Sequence, residues 1–86
     1  MYALNNLSNC FLYTKDYAQA EHFAHKGLEL DNTDIPSKIN LAQALLFQNR
    51  YEEAESIYKE LTLLDQTNAI PPEYKANLEK IKEMMK

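Results

Sequence analysis

Two histidines, one cysteine and a cluster of glutamates are the residues of this chain whose types and spacing could do chemistry. His22 and His25 stand three residues apart, a spacing that on a helix lets two imidazoles reach one metal ion. A metal site needs further ligands, and the sequence holds no second histidine pair to supply them. We therefore predict that both histidines are solvated helix residues and that the chain binds no metal.

Cys10 and the glutamates also lack the neighbours that catalysis requires. No motif links a histidine to Cys10, so we predict a small buried hydrophobe at a packing position instead of a nucleophile. Glu52, Glu53 and Glu55 lie on an outer helix face, where nothing buries a carboxyl group and raises its pKa for acid catalysis. A single glycine cannot build a phosphate-binding loop. The sequence predicts no enzyme and no cofactor.

Composition excludes several classes of partner and location. The 86 residues carry a formal net charge of -4, whereas binding to a phosphate backbone needs clustered Lys and Arg, so we exclude nucleic acid. No stretch approaches the ~20 apolar residues that span a membrane, and asparagines interrupt the apolar residues near Met1, where a signal peptide would be continuous. A lone cysteine excludes an internal disulfide and fits a reducing compartment. We predict a cytoplasmic protein.

The elements that must position these residues recur at a fixed offset of 34 positions along the sequence. Identical residues stand at that offset in the pairs Asn6/Asn40, Leu7/Leu41, Leu12/Leu46, Tyr17/Tyr51, Ala20/Ala54, Glu21/Glu55, Leu30/Leu64, Asp31/Asp65 and Thr33/Thr67. A composition rich in Ala, Leu, Glu and Lys, with one Gly and three Pro, favours helices over strands. A repeat of this length is typical of two antiparallel helices that stack on their neighbours. The fold class that we predict is all-α, a right-handed solenoid of two helix-turn-helix units with a C-terminal capping helix.

Apolar residues spaced three and four apart predict five helices, at about 2–14, 17–30, 36–48, 51–64 and from Pro72 onward. We expect one domain over 1–86, with a first repeat at about 1–34, a second at about 35–68 and the capping helix at about 71–86. The fifth helix carries an apolar stripe at Tyr74, Leu78, Ile81 and Met85. We expect this stripe to cover the last repeat; a docking helix for another chain is the alternative.

Residues 1 to about 65 resemble the tetratricopeptide repeat family, most closely in the sequence NLAQALLF at 40–47 followed by YEEA at 51–54. The small residues of that family correspond to Ser8 and Ala42 in the first helices and to Ala20 and Ala54 in the second helices. Two helix backbones that pack about 8–10 Å apart leave no room for a large side chain at their crossing. The residues that we expect to pack the repeats are Leu7, Ser8, Tyr17, Ala20, Gly27, Leu41, Ala42, Tyr51, Ala54 and Tyr58.

Members of the family bind peptides or partner proteins along the concave surface lined by the first helices. The resemblance assigns nine residues to this partner-binding surface: Tyr2, Asn5, Asn9, Leu12, Tyr13, Ile39, Gln43, Leu46 and Phe47. Side-chain amides flanked by aromatic rings could hydrogen-bond an extended peptide and pack its side chains. The alternative is that these residues face solvent or a neighbouring repeat.

One subclass of the family grips C-terminal carboxylates with two asparagines and several cations. Asn9 and Asn40 fall where its asparagines lie, but Asn5 stands where that subclass has a lysine. Without paired cations a bound carboxylate gains too little to offset its dehydration. We do not expect binding of chaperone tails.

Three functions remain open from the sequence alone. The first is a non-enzymatic module that binds an unidentified protein or peptide, as part of a longer repeat protein. The second is a purely structural segment that ends a solenoid, since two repeats are fewer than the three usually needed for independent stability. The third is a homo-oligomer formed through the uncapped first helix, whose apolar residues include Ala3, Leu4 and Phe11.

Overall fold

The computed structural model describes residues 2–67, 70 and 72–85, with side chains from Leu7 onward. Helices α1 to α4 span Tyr2–Tyr13, Tyr17–Leu30, Ile35–Phe47 and Tyr51–Gln66, and a 3-10 turn at Pro72–Tyr74 leads into α5, Lys75–Met84. The described part of the chain contains no strand, so the all-α prediction is confirmed. The predicted bounds of the first four helices are off by no more than two residues. Within the same residues, no helix is both long and apolar enough to span a bilayer.

Aspartates start two of the helices. The Asp16 carboxylate accepts a hydrogen bond from the backbone N–H of Gln19 at 3.4 Å, at the start of α2. Asp34 accepts one from the backbone N–H of Ser37 at 3.1 Å and another from its hydroxyl at 2.6 Å, at the start of α3. These bonds satisfy N–H groups that the first turn of a helix leaves without partners. Pro36 lies in the same first turn of α3, where its missing N–H costs nothing.

The turn between α2 and α3 is closed by Asp31. Its carboxylate accepts a hydrogen bond from the Thr33 hydroxyl at 2.6 Å and another from the Thr33 backbone N–H at 3.0 Å. Both bonds favour the charged carboxylate, the hydroxyl more strongly, and they lower the pKa of Asp31 below its ordinary value. The sequence of this turn therefore fixes where α2 stops and α3 begins.

Helix α3 lies at the centre of the packing. Each of the first four helices packs against the next, α3 also contacts α1 and α5, and α5 contacts α4 as well. The buried apolar core follows from this arrangement and consists of Ala24, Ile39, Leu41, Ala42, Leu45, Leu46, Ala54, Leu61, Ile70, Leu78 and Ile81. Helix α3 contributes the largest share, five of these eleven residues, because it has neighbours on nearly every side.

Small residues stand at the helix crossings. Ser8, Ala20, Ala42 and Ala54 have no exposed surface. The Ser8 hydroxyl donates a hydrogen bond to the backbone carbonyl of Ala20 at 2.7 Å, which ties α1 to α2. Of the other residues expected to pack the repeats, Gly27 and Leu41 are buried and Tyr17 and Tyr58 are half-buried.

Three predictions about packing are wrong. Leu7, expected to pack, is 42% exposed, and Cys10, expected to be a buried hydrophobe, is exposed. Both lie on a side of α1 that the described residues leave uncovered, since the main contacts of α1 are with α2 and α3. Tyr51 is 51% exposed, and its hydroxyl donates a hydrogen bond to the Asn49 side-chain oxygen at 3.0 Å instead of entering the core.

Candidate functional site

A groove with a volume of about 230 Å³ lies where α1, α3 and α5 meet. We call it the α1–α3–α5 groove, and its lining consists of Asn9, Leu12 and Tyr13 from α1, Gln43 and Phe47 from α3, and Asn77 and Lys80 from α5. Leu12 and Tyr13 follow Asn9 by three and four residues, Phe47 follows Gln43 by four and Lys80 follows Asn77 by three, so the residues of each helix share one face. The groove is thus built from one stripe of each of three helices.

Side-chain amides form a regular series along this groove. Gln43 follows Asn9 by 34 positions, and Asn77 follows Gln43 by the same interval. Each comes from a different helix, so the series crosses the groove from α1 through α3 to α5. An amide offers two N–H donors and a carbonyl acceptor, which match the alternating groups of a peptide backbone.

One wall of the groove is aromatic and held in place. The ring of Phe47 stacks on that of Tyr17, with centroids 4.6 Å apart and planes 10° from parallel. Because Tyr17 begins α2 and Phe47 ends α3, this stack also joins the two repeats. Phe47 remains partly exposed and Tyr13 almost fully so, which leaves apolar surface available beside the amides.

Gln43 stands out as a polar group at the floor of the groove. The residue is only 7% exposed, yet its side chain makes no hydrogen bond to any group that the structure describes. The nitrogen and oxygen of its amide are accessible from the groove. Neither is among the fully buried side-chain atoms of the described residues that lack a hydrogen-bond partner. A ligand in the groove could therefore hydrogen-bond the Gln43 amide.

Lys80 gives the groove its charge. It is the one cationic side chain in the part of the lining that the structure describes, and it is exposed at the rim. The salt bridges found among the described residues join other cations, namely His25, Lys38, Arg50, Lys59 and Lys75, to their carboxylates. Its ammonium group is therefore available to a ligand, in a chain whose net charge is negative.

The structure brings together five of the nine residues assigned to partner binding, namely Asn9, Leu12, Tyr13, Gln43 and Phe47. Ile39 and Leu46 are not on the groove surface: both are buried in the core, because α3 is covered on several sides by its neighbours. Their assignment to the binding surface is wrong. Tyr2 and Asn5 lie in α1, and their side chains are outside the described residues.

Asn77 and Lys80 line the groove although the sequence pattern did not single them out. The fifth helix was expected to act as a cap, so only its apolar stripe was assigned contacts. The signal was the repeat itself, because adding 34 to Gln43 gives Asn77 and adding 34 to Leu46 gives Lys80. Helix α5 contacts α3 and α4 as α3 contacts α1 and α2, so it stands in the place of a further first helix.

The residues considered for catalysis or metal binding lie elsewhere. His22 and His25 are exposed on α2, away from the groove, and His25 Nε2 is 3.5 Å from Glu21 Oε2. Among the described residues, no group of three or more His, Cys, Asp or Glu side chains could hold a metal ion. Glu52, Glu53 and Glu55 are exposed, and Glu55 pairs with Lys59 at 3.3 Å.

A larger hollow of about 560 Å³ lies on the outer side of α4, lined by Glu55, Tyr58, Lys59, Thr62, Leu63 and Met85. Its surface is mainly apolar, and its two charged residues are already paired with each other. It therefore offers fewer directed contacts to a ligand than the smaller groove. We take the α1–α3–α5 groove as the candidate site because its polar groups converge.

The repeat seen in the sequence has a counterpart among known protein families. A family model described as tetratricopeptide repeat matches residues 11–81, which includes part of α1, all of α2 to α4 and most of α5. No solved structure matches the chain. The family match confirms the resemblance seen in the sequence and extends it into the fifth helix.

Proposed function

Since the chain belongs to the tetratricopeptide repeat family, whose members generally mediate protein–protein interaction, we propose that it binds a peptide or protein partner in the α1–α3–α5 groove. The observation that carries the proposal is the series Asn9, Gln43 and Asn77, whose side chains line one groove; the Gln43 amide makes no hydrogen bond to any other described residue. We further propose that the chain works within a longer array of repeats. Members of this family are typically not enzymes, and the described lining of the groove contains no pair of a nucleophile and a base.

The groove would recognise its partner through backbone and side chain at once. An extended peptide presents N–H and C=O groups alternately, and amides of Asn and Gln can bond to either. Phe47, fixed by its stack on Tyr17, provides a flat apolar surface for a side chain of the partner. Because Phe47 is already held by its stack on Tyr17, its side chain would lose little conformational entropy on binding.

The proposal is tested by comparing two double variants with the unmodified chain. The groove variant carries Asn9→Ala with Gln43→Met, which keeps the buried volume of Gln43 but removes its hydrogen bonds. The control variant carries His22→Ala with His25→Ala, on the outer side of α2. Proteins captured from native lysate by the unmodified chain are identified, purified and titrated against all three chains by calorimetry.

We expect the groove variant to bind at least tenfold more weakly, since two hydrogen bonds of about 1 kcal/mol each are lost. The histidine variant is expected to bind with unchanged affinity. Loss of binding in the histidine variant, with retention in the groove variant, would contradict the proposal. If no purified candidate binds any of the chains, the purely structural role is favoured instead.

Self-association is a second candidate function, favoured by a specific observation. Leu7 and Cys10 are exposed on α1, whereas the residues 34 positions later, Leu41 and Ala44, are buried between α3 and its neighbours. This face of α1 is exposed, whereas the equivalent face of α3 is covered by other helices. Such an exposed face can pair with a second copy of the chain. Sedimentation equilibrium should then detect a dimer that Leu7→Glu abolishes; a monomer at millimolar concentration would exclude it.

A further inference from the structure

The charge of the groove indicates what kind of peptide it takes. Among the described residues, Lys80 is the one charged residue that lines it, and none of the salt bridges found there engages Lys80. The other described residues of the lining are amide, aromatic or aliphatic and contribute no carboxylate. A basic side chain of a partner would find a like charge there and no counter-ion, whereas an acidic one would find an available ammonium group.

Building on the proposed function, we propose that the groove selects an extended segment that carries a side-chain carboxylate, Asp or Glu, placed against Lys80. In this arrangement α5 supplies the specificity of the site in addition to covering the second repeat. Gln43 binds the backbone of the segment at the floor of the groove, and the stacked Phe47 packs an apolar side chain beside the acidic one. The partner is therefore acidic at one position and apolar close to it.

The geometry favours an internal side chain over a free C-terminus. A terminal carboxylate that is fully enclosed needs more than one cation or several N–H donors to offset its dehydration. Lys80 is a single, exposed cation at the rim, so the group that it binds stays partly hydrated and loses little solvation. A side-chain carboxylate can remain at the rim while the backbone of the same segment reaches down to Gln43.

The test uses synthetic probes and does not depend on knowing the natural partner. A library of random nine-residue peptides, flanked by linkers at both ends so that no terminus is free, is selected against the whole chain. The strongest binder is then made with blocked termini in three forms, with Glu, Gln or Lys at the enriched acidic position. A fourth form has Gln at that position and a free C-terminal carboxylate.

Lys80→Glu is the diagnostic variant and Lys82→Glu its matched control. Both substitutions make the same change of net charge on α5, but Lys82 is exposed and does not line the groove. With the unmodified chain, the Glu form should bind about 2- to 5-fold more tightly than the Gln form, as is typical of exposed ion pairs. Lys80→Glu should reverse the order of the Glu and Lys forms, whereas Lys82→Glu should preserve it.

Gln43→Met separates this inference from the proposed function. It should weaken all blocked forms by about 5-fold and leave their order unchanged, because it removes a bond to the backbone. Selected peptides without acidic residues, equal effects of the two lysine variants, or tightest binding by the free C-terminus would each overturn the acidic-segment proposal. Should binding survive both Gln43→Met and Phe47→Ala unchanged, or no peptide be selected, the groove itself would be the wrong site.

Discussion

Leu7 and Leu41 occupy the same position in two successive repeats, yet Leu7 is 42% exposed and Leu41 only 3% exposed. The same contrast holds for Cys10, which is exposed, and Ala44, which is fully buried. The two helices have similar sequences, but α3 packs against α1, α2, α4 and α5, whereas the main contacts of α1 are with α2 and α3. In this protein, burial depends on the neighbours of a helix more than on the type of residue.

The contacts of the tyrosines that begin the second helices also depend on the unit that follows. Tyr17 stacks on Phe47 of the following repeat, whereas Tyr51 has no ring partner in the described part of the chain and is half exposed. The residue that follows Phe47 by 34 positions is Ile81, which is buried and carries no ring. An identical spacing therefore does not give a repeated contact unless the next unit supplies the partner.

The largest expected difference between the repeats is the cost of truncating their equivalent leucines. Leu41→Ala should lower the free energy of unfolding by about 2–5 kcal/mol, because it leaves a cavity in a packed core. Leu7→Ala should cost less than about 1 kcal/mol, since much of that side chain already contacts water. Urea denaturation followed by circular dichroism measures both. Equal costs would show that α1 is covered in solution, as a dimer would require.

A second comparison sharpens the role of the small residues at the helix crossings. Ala54→Leu should destabilise the fold by about 1–3 kcal/mol, because the site has no exposed surface and a larger side chain forces the helices apart. Ala18→Leu makes the same change at an exposed position of α2 and is expected to change stability by no more than about 0.5 kcal/mol. Similar melting temperatures for the two variants would mean that the helices do not cross closely at Ala54.

The equivalent glutamates of the two repeats should differ by a smaller amount. Glu21 accepts hydrogen bonds from Arg50 Nη1 at 2.7 Å and from Gln48 Nε2 at 3.0 Å, so it joins α2 to the turn after α3. Glu55 pairs only with Lys59 on its own helix among the described residues.

We expect Glu21→Gln to cost about 1 kcal/mol and Glu55→Gln about 0.3 kcal/mol. The measurement is chemical denaturation at 0.05 M and 1 M NaCl, since salt screens exposed pairs. The difference in unfolding free energy between the two variants should become smaller at high salt. A larger cost for Glu55→Gln than for Glu21→Gln would contradict the prediction that Glu21 makes the stronger contacts.

The parts of the fold that follow from local pattern could be predicted from the sequence. Helix bounds depend on nearby residues such as Asp34 and Pro36. The small residues Ala20 and Ala54 indicate helix crossings, because a close crossing leaves no room for a larger side chain. The family match bears out the repeat architecture. Five of the residues assigned to the surface meet in one groove because they share a stripe of their helix.

The rest depends on contacts between distant segments. Ile39 and Leu46 carry a pattern that fits either a groove or a core, and only the packing of α3 against four other helices decides between them. Lys80 looks like any solvated lysine of an amphipathic helix until α5 is placed beside α3. The amide series from Asn9 to Asn77 could have indicated that placement, but two identical steps along the sequence are weak evidence without a structure.

The last comparison concerns the turns within the repeats, where Lys15 and Asn49 occupy equivalent positions with φ of 66° and 63°. Both lie in the left-handed region, which asparagine tolerates better than lysine does. Lys15→Asn should therefore stabilise the chain by about 0.5 kcal/mol, which for a domain of this size raises the melting temperature by roughly 2–4 °C. Lys26→Asn, at an exposed position within α2, is the control and should lower stability because asparagine is a poorer helix former. If both substitutions lower the melting temperature, the backbone at Lys15 does not hold the left-handed conformation. The two turns would then differ in conformation although they occupy equivalent positions of the repeat.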